Sequence, residues 1–179
     1  FVKHPTQWWR MLAIGAGLRR SEIDRLRWED VDWEHSEIQI VSSDIGQTKS
    51  EASEAAVAVH EKLLNLLDEQ RAKSRSDYVI SSKIEFEPET RWRKYRCEAV
   101  FRRLIKWLRD PNGGGMEGVK NPIHTLRKEF GSLIYRKAGI HAASDALRHT
   151  SLQVTASHYL DSKDKAVLNL SELLEKEAA

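Results

Sequence analysis

Apolar residues recur at helical spacing through most of this chain, and this periodicity restricts the fold more than any other feature of the sequence. The first such segment follows Pro5, carries Trp8 and Leu12, and ends at Gly17, a residue typical of helix ends. A second helix is predicted with Ser21 as its N-cap, a third around residues 63–67, and a fourth over 90–109. The remaining helices are predicted from Pro122 to about Lys137, from His141, from Leu152, and over 163–179, where the pattern is that of an amphipathic tail.

Three shorter segments have the character of β-strands. Residues 38–41 alternate between apolar and polar, and residues 56–59 are a suitable partner across a polar turn that contains Gly46 and Lys49. Residues 78–80 form a third candidate strand. We therefore predict a mainly α-helical domain with one small antiparallel β-sheet, an α+β fold that occupies residues 1–179 as a single domain.

Composition excludes several classes of protein. With 40% hydrophobic and 31% charged residues, the chain has the balance of a folded globular domain. Its single cysteine, Cys97, excludes an internal disulfide and a zinc site built on several thiols. No apolar run approaches the ~20 residues that span a bilayer. The chain opens at Phe1 inside a helical pattern, so we expect it to be a piece of a longer protein.

Positive charge is concentrated between residues 91 and 109, although the formal net charge of the whole chain is only +2. A helix of this kind can neutralise a phosphate backbone, which predicts DNA binding, or it can be an ordinary solvated face. The basic residues are Arg91, Arg93, Lys94, Arg96, Arg102, Arg103, Lys106 and Arg109.

Two further positions have the chemistry of a phosphate site. His124 and Arg127 are three residues apart, so they project from the same side of a helix that starts near Pro122. Backbone N–H groups at a helix start favour anions, and arginine offers paired donors to phosphate. The alternative is a surface pair without function.

A tyrosine, a histidine and two cations complete the candidates. Tyr159 can act as a nucleophile at phosphorus if positive charges lie nearby, and His149 lies ten positions before it. Taken alone, Tyr159 has the pattern of a packing aromatic near a helix end, Arg19 that of a turn arginine and Lys49 that of an exposed turn lysine. The acidic residues between Glu29 and Glu37 offer a rival magnesium site for nuclease chemistry, or simply a polar turn.

Four of these segments, taken in order, resemble the motifs of tyrosine recombinases, the phage-integrase family. The resemblance covers residues 8 to about 159. The segments are Gly17-Leu18-Arg19-Arg20-Ser21-Glu22-Ile23, Thr48-Lys49, His124-Thr125-Leu126-Arg127-Lys128, and Leu147-Arg148-His149 through Tyr159.

The resemblance implies a tyrosine recombinase catalytic domain, in which Tyr159 attacks DNA phosphate and leaves a 3′-phosphotyrosyl link. Arg19 and Arg127 would then hold the non-bridging oxygens and stabilise the charge of the transition state. The family also implies double-stranded DNA as partner, a homotetramer in the full-length protein, and a cytoplasmic, bacterial or phage-encoded enzyme that acts on the nucleoid.

The remaining roles follow from the same resemblance. Lys49 would donate a proton to the departing 5′-oxygen, while His124 and His149 would assist proton handling and phosphate binding. Fixed cations would serve where other nucleases recruit metal ions, so no metal or cofactor is implied.

Two features depart from the family's pattern. Arg148 stands where members usually have glycine, so it is expected either to alter the loop or to add a phosphate contact. His158 stands where many members have the nucleophile, although Tyr159 remains the assignment.

The rival functions are a DNA-binding module of the same ancestry that does not cleave, and relaxation of supercoils by a type IB topoisomerase.

Overall fold

Within the ranges that it describes, the structure alternates short helices with one small sheet. It is a computed structural model that describes residues 8–40, 55–84, 95–149 and 151–159, with side chains up to Ser157 in the last range. The helices are α1 (Arg10–Gly15), α2 (Arg20–Arg25), α3 (Glu61–Arg71), α4 (Glu98–Arg109), α5 (Pro122–Ala146) and α6 (Leu152–Tyr159). The strands are β1 (Val31–Asp32), β2 (Glu37–Ile40) and β3 (Ala55–Ala58).

The sheet has the order β1-β2-β3 and is antiparallel throughout. Alternation places Ile38 and Ile40 on the buried face, and Ile38 stands opposite Val57 across β2 and β3. This confirms the predicted pairing. Strand β1 was not predicted, because the sequence there reads as a polar turn; in the structure Val31 is buried opposite Ile38.

The turn between β1 and β2 accounts for the acidic cluster. The Asp32 carboxylate accepts hydrogen bonds from the backbone N–H groups of Glu34 and His35 at 3.1 and 2.9 Å, and it is hydrogen bonded to the His35 ring at 2.9 Å. Among the residues described, no group of three or more His, Cys, Asp or Glu side chains is arranged to hold a metal ion. The Asp32 carboxylate therefore stabilises this turn.

One hydrophobic core holds the elements together. Helix α1 packs against α5 and α3, and Leu12, Leu18, Ile38 and Phe101 are fully buried. Burial of side chains of this size is worth about 1.5–3 kcal/mol each. None of the helices described is long and apolar enough to cross a membrane.

Three local predictions were wrong. The N-cap of α2 is Arg19 and not Ser21. Residues 78–80 form no strand, since Tyr78 makes only an isolated bridge to Arg27. Helix α4 begins at Glu98, and residues 95–97 before it are not helical, so the predicted helix over 90–109 is not continuous. Residues 85–94 lie outside the described ranges. The predicted turn around Gly46–Lys49 and the tail over 163–179 lie outside them as well.

Helix α5 contains a break that the sequence indicates. Gly139 has φ 82° and ψ −179°, which is not helical, so the element is two helices joined at this glycine. The prediction of one helix to about Lys137 and another from His141 is confirmed. The first of these helices starts at Pro122, as predicted.

Candidate active site

Four of the residues predicted to be catalytic line the same cavity. Arg19, His124, Arg127 and His149 surround a space of about 360 Å³. They come from three places in the chain: the N-cap of α2, the first turns of α5, and the segment between α5 and α6. The side chain of His124 is exposed at this cavity, whereas Arg127 is buried.

Arg127 is the structural centre of the site. It is 3% exposed, and its guanidinium donates hydrogen bonds to the carbonyl oxygens of Gly17 and Leu147. These bonds link the loop before α2, the start of α5 and the end of α5. A buried guanidinium held from both sides is oriented before any ligand arrives, which is the condition for electrostatic stabilisation of a developing charge.

Gly17 allows this arrangement in two ways. Its φ of +60° lies in the left-handed region, where side chains are unfavourable. A Cβ at this position would also lie 2.5 Å from the ring of Phe130 on α5. The glycine of the Gly-Leu-Arg segment is therefore required for both the turn and the close approach of α5.

Arg19 is held at the N-terminus of α2 by Glu22. The Arg19 backbone N–H donates to Glu22 Oε2 at 2.6 Å, and Arg19 Nη1 donates to Glu22 Oε1 at 2.6 Å. Arg19 Nη2 donates to the carbonyl oxygen of Arg148 at 3.1 Å. Because both of its ends are fixed, the partly exposed Arg19 presents its charge to the cavity in one orientation.

Arg148 is buried, and this corrects the expected phosphate contact. Its φ of 51° is in the left-handed region, which explains why glycine suits this position. Its Nη2 donates to Glu22 Oε2 at 2.6 Å, and its side chain is 3% exposed. Burial lowers the pKa of the Arg148 guanidinium, while the charge of Glu22 raises it and that of Arg19 lowers it further. Arg148 thus faces Glu22 and not the solvent.

His149 connects the cavity to α6. Its Nδ1 is hydrogen bonded to Thr155 Oγ1 at 2.8 Å, and its backbone N–H donates to the Ser144 carbonyl at 3.1 Å. Thr155 is fully buried. Tyr159 is the last residue of α6, so the same helix carries the partner of His149 and the predicted nucleophile. The side chain of Tyr159 and all of Lys49 lie outside what the structure describes.

The basic segment divides into a buried and an exposed part. Arg96 is 5% exposed and donates to the carbonyl oxygens of Asp24 and Ile80 at 2.9 and 2.7 Å, so its assignment as a DNA-contacting side chain is corrected. Four others are exposed on α4, namely Arg102, Arg103, Lys106 and Arg109. The first three keep the prediction of DNA contact, and Arg109 donates to the Val119 carbonyl at 3.1 Å. Arg91, Arg93 and Lys94 lie outside the described ranges.

Two residues at the site were not singled out from the sequence. Glu22 binds Arg19, and its spacing three residues after the N-cap is the signal that would have identified it. Arg20 lines the cavity, stacks over the Tyr95 ring at 4.2 Å, and pairs with Glu98 at 2.7 Å. No local sequence pattern indicates the pairing of Arg20 with Glu98, because the two residues are 78 positions apart.

The chain has the fold of solved structures of recombinases and of a transposon integrase. The chain is similar to XerA recombinase, with 22% identity over 97% of this chain and 56% of that one, at a TM-score of 0.60. It is similar to the Tn1549 transposon integrase in complex with circular intermediate DNA, with 15% identity over 95% and 58% at 0.60.

A third similar structure is XerH site-specific recombinase bound to palindromic difH substrate, with 18% identity over 97% of this chain and 45% of that one, at a TM-score of 0.57. The chain thus spans about half the length of the solved chains that it matches.

No curated protein sequence matches it. The family model described as "Phage integrase family" matches residues 3–166. The chain therefore belongs to the phage integrase family.

Proposed function

We propose that this chain is the catalytic domain of a tyrosine recombinase, which cleaves and rejoins DNA at specific sites. The observation that carries the proposal is the meeting of Arg19, His124, Arg127 and His149 at one cavity. These residues are up to 130 positions apart in the sequence, and the resemblance to tyrosine recombinases implies a phosphate-binding or proton-handling role for each. If His124 and Arg127 were only a surface pair without function, there would be no reason for Arg19 and His149 to lie at the same cavity.

The proposed reaction is a transesterification. The Tyr159 hydroxyl oxygen attacks the scissile phosphorus and passes its proton to a histidine of the cavity. The bond from phosphorus to the 5′-oxygen breaks, and that oxygen takes a proton from Lys49. The products are a 3′-phosphotyrosyl link and a free 5′-hydroxyl. Attack by a 5′-hydroxyl in the reverse direction rejoins the strand. Because the phosphotyrosyl ester conserves the free energy of the broken phosphodiester bond, no ATP is required.

The cations of the cavity have a definite part in this scheme. Arg19 and Arg127 hold the two non-bridging oxygens and stabilise the charge that grows in the transition state. Their rigid attachment through Glu22, Gly17 and the Leu147 carbonyl supports this role, because preorganised donors cost no rearrangement during reaction. His124 and His149 handle protons and contribute to phosphate binding.

DNA binding follows from the surface around the site. Exposed cations on α4 neutralise DNA phosphates, which makes binding fall steeply as salt rises. Arg91, Arg93 and Lys94 are proposed to extend this surface. We infer that the full-length protein acts in the cytoplasm as a homotetramer on its DNA site, which would be the end of a mobile element or a related recombination site.

The test is covalent trapping on nicked duplexes from the ends of the genetic element that encodes the protein, with EDTA present. We expect an adduct that survives denaturation with wild type and with Tyr135→Phe, and no adduct with Tyr159→Phe. Tyr135 is the matched control because it lies on α5 and packs near Leu147.

Each other outcome has a distinct meaning. An adduct that persists in Tyr159→Phe would show that the nucleophile is another residue. Strong binding without an adduct, on a site that recombines in cells, would favour a DNA-binding module. Strand cleavage that requires magnesium would favour a metal nuclease, and relaxation of supercoils without strand exchange would favour a topoisomerase.

A further inference from the structure

Glu22 lies between two guanidinium groups. Its Oε1 accepts from Arg19 Nη1 at 2.6 Å, and its Oε2 accepts from Arg148 Nη2 at 2.6 Å. The Glu22 side chain is 9% exposed and that of Arg148 is 3% exposed, whereas Arg19 is 36% exposed. One carboxylate therefore joins a cation that faces the cavity to a cation that is buried behind it.

The charges of this group explain why the second cation matters. Glu22 alone would neutralise Arg19, since a carboxylate and a guanidinium in contact have no net charge. With Arg148 present, the two guanidinium groups and one carboxylate carry a net charge of +1. Glu22 and Arg148 are buried, where charges are screened less than in water, so the charge of Arg148 reaches Arg19 and an anion in the adjacent cavity.

Arg148 occupies its position at two identifiable costs. Its backbone adopts φ 51°, which a glycine would adopt without strain. Its Nε and Nη1 atoms are buried without a hydrogen-bond partner among the residues described. A side chain kept under both conditions requires a compensating interaction, and the bond to Glu22 is the one that the structure provides. The opposing effects of Glu22 and Arg19 on the Arg148 pKa agree with this proximity.

We propose that Arg148 is a positioning residue that balances the charge of Glu22, so that Glu22 orients Arg19 without cancelling the attraction of Arg19 for a phosphate oxygen. This inference rests on the proposed function for its link to DNA cleavage. It assigns no contact between Arg148 and DNA.

The experiment compares four forms of the chain: wild type, Arg148→Gln, Glu22→Gln and the double variant. Two readouts are taken, the dissociation constant for inorganic phosphate from a titration and the single-turnover rate of adduct formation at saturating DNA. Arg148→Gln should weaken phosphate binding and slow the adduct by about tenfold each, a typical coupling for residues in contact.

The double variant separates charge from packing. Once Glu22 is neutral, the charge of Arg148 has nothing to balance, so adding Arg148→Gln to Glu22→Gln should change phosphate affinity by less than about threefold. A loss of affinity that is equally large in both backgrounds would overturn the inference. Wild-type affinity in Arg148→Gln would also overturn it.

Arg148→Gly provides a second variant. It removes the charge, the strain of a left-handed backbone at a residue with a side chain, and the buried Nε and Nη1 atoms that have no hydrogen-bond partner among the residues described. It should be at least as stable to urea as Arg148→Gln and should bind phosphate equally weakly. Unfolding of both variants would make Arg148 purely structural and would contradict the inference. If wild type forms no adduct, the proposed function fails, while the phosphate titrations still decide the role of Arg148.

Discussion

The guanidinium of Arg127 donates a hydrogen bond to the carbonyl oxygen of Gly17, 110 residues earlier in the chain. This bond sets the distance between the loop that carries Arg19 and the helix that carries His124. The same glycine has no side chain to obstruct the Phe130 ring on that helix. The site therefore depends on how closely two distant segments approach.

Gly17→Ala should destabilise the domain and reduce cleavage. A left-handed backbone at a residue with a side chain costs about 1–2 kcal/mol, and the clash with Phe130 adds to it. We expect a total loss of about 3 kcal/mol in the free energy of unfolding, measured in urea. Gly115→Ala is the matched control, since Gly115 has φ +66° but no atom within 4 Å of a new Cβ. Equal losses in the two variants would mean that the contact with Phe130 is unimportant.

Thr155→Val should slow adduct formation with little effect on folding. The change removes the hydroxyl that is hydrogen bonded to His149 Nδ1, so the imidazole loses one of the contacts that orient it. Misorientation of a group that handles protons costs about tenfold or more in rate. Single-turnover cleavage is the measurement, and Ser157→Ala on the exposed side of α6 is the control. An unchanged rate in Thr155→Val would contradict an orienting role.

Arg96→Gln should affect stability, whereas Arg102→Gln should affect DNA binding. Arg96 is buried with carbonyl partners on Asp24 and Ile80, so its replacement should lower the free energy of unfolding by about 3 kcal/mol. Arg102 is exposed, so its replacement should change stability by less than about 0.5 kcal/mol. Arg102→Gln should instead reduce the slope of DNA affinity against salt by about one unit. An unchanged slope would remove Arg102 from the DNA-binding surface.

Stability should fall in alkaline solution because of Cys97. Burial raises the pKa of its thiol from 9.0 to about 12, so the folded chain keeps the thiol proton that the unfolded chain releases. This contribution is fully present below pH 9 and is lost as the pH rises toward 12, by up to about 1.4 kcal/mol per pH unit. Urea unfolding of wild type and Cys97→Ala at pH 8 to 10.5 measures it. Parallel pH dependence in the two proteins would contradict the shifted pKa.

Local patterns in the sequence predicted those elements whose signals are local. The break at Gly139, the start of α5 at Pro122 and the pairing of β2 with β3 each follow from residue type or periodicity within a few positions. Strand β1 and the bridge at Tyr78 could not be predicted in this way. Each is defined by hydrogen bonds to another segment, and a two-residue strand has no periodicity of its own.

The sequence alone determined which chemical groups the site contains, because the order and spacing of Arg19, His124, Arg127 and His149 are written in it. Only the tertiary structure decided which of the basic side chains are buried and what they bind. Arg96 and Arg102 are six positions apart and have the same charge, yet one is enclosed by Asp24 and Ile80 and the other is exposed. Burial depends on packing between segments more than 70 residues apart, and that packing is a property of the folded chain and not of local sequence.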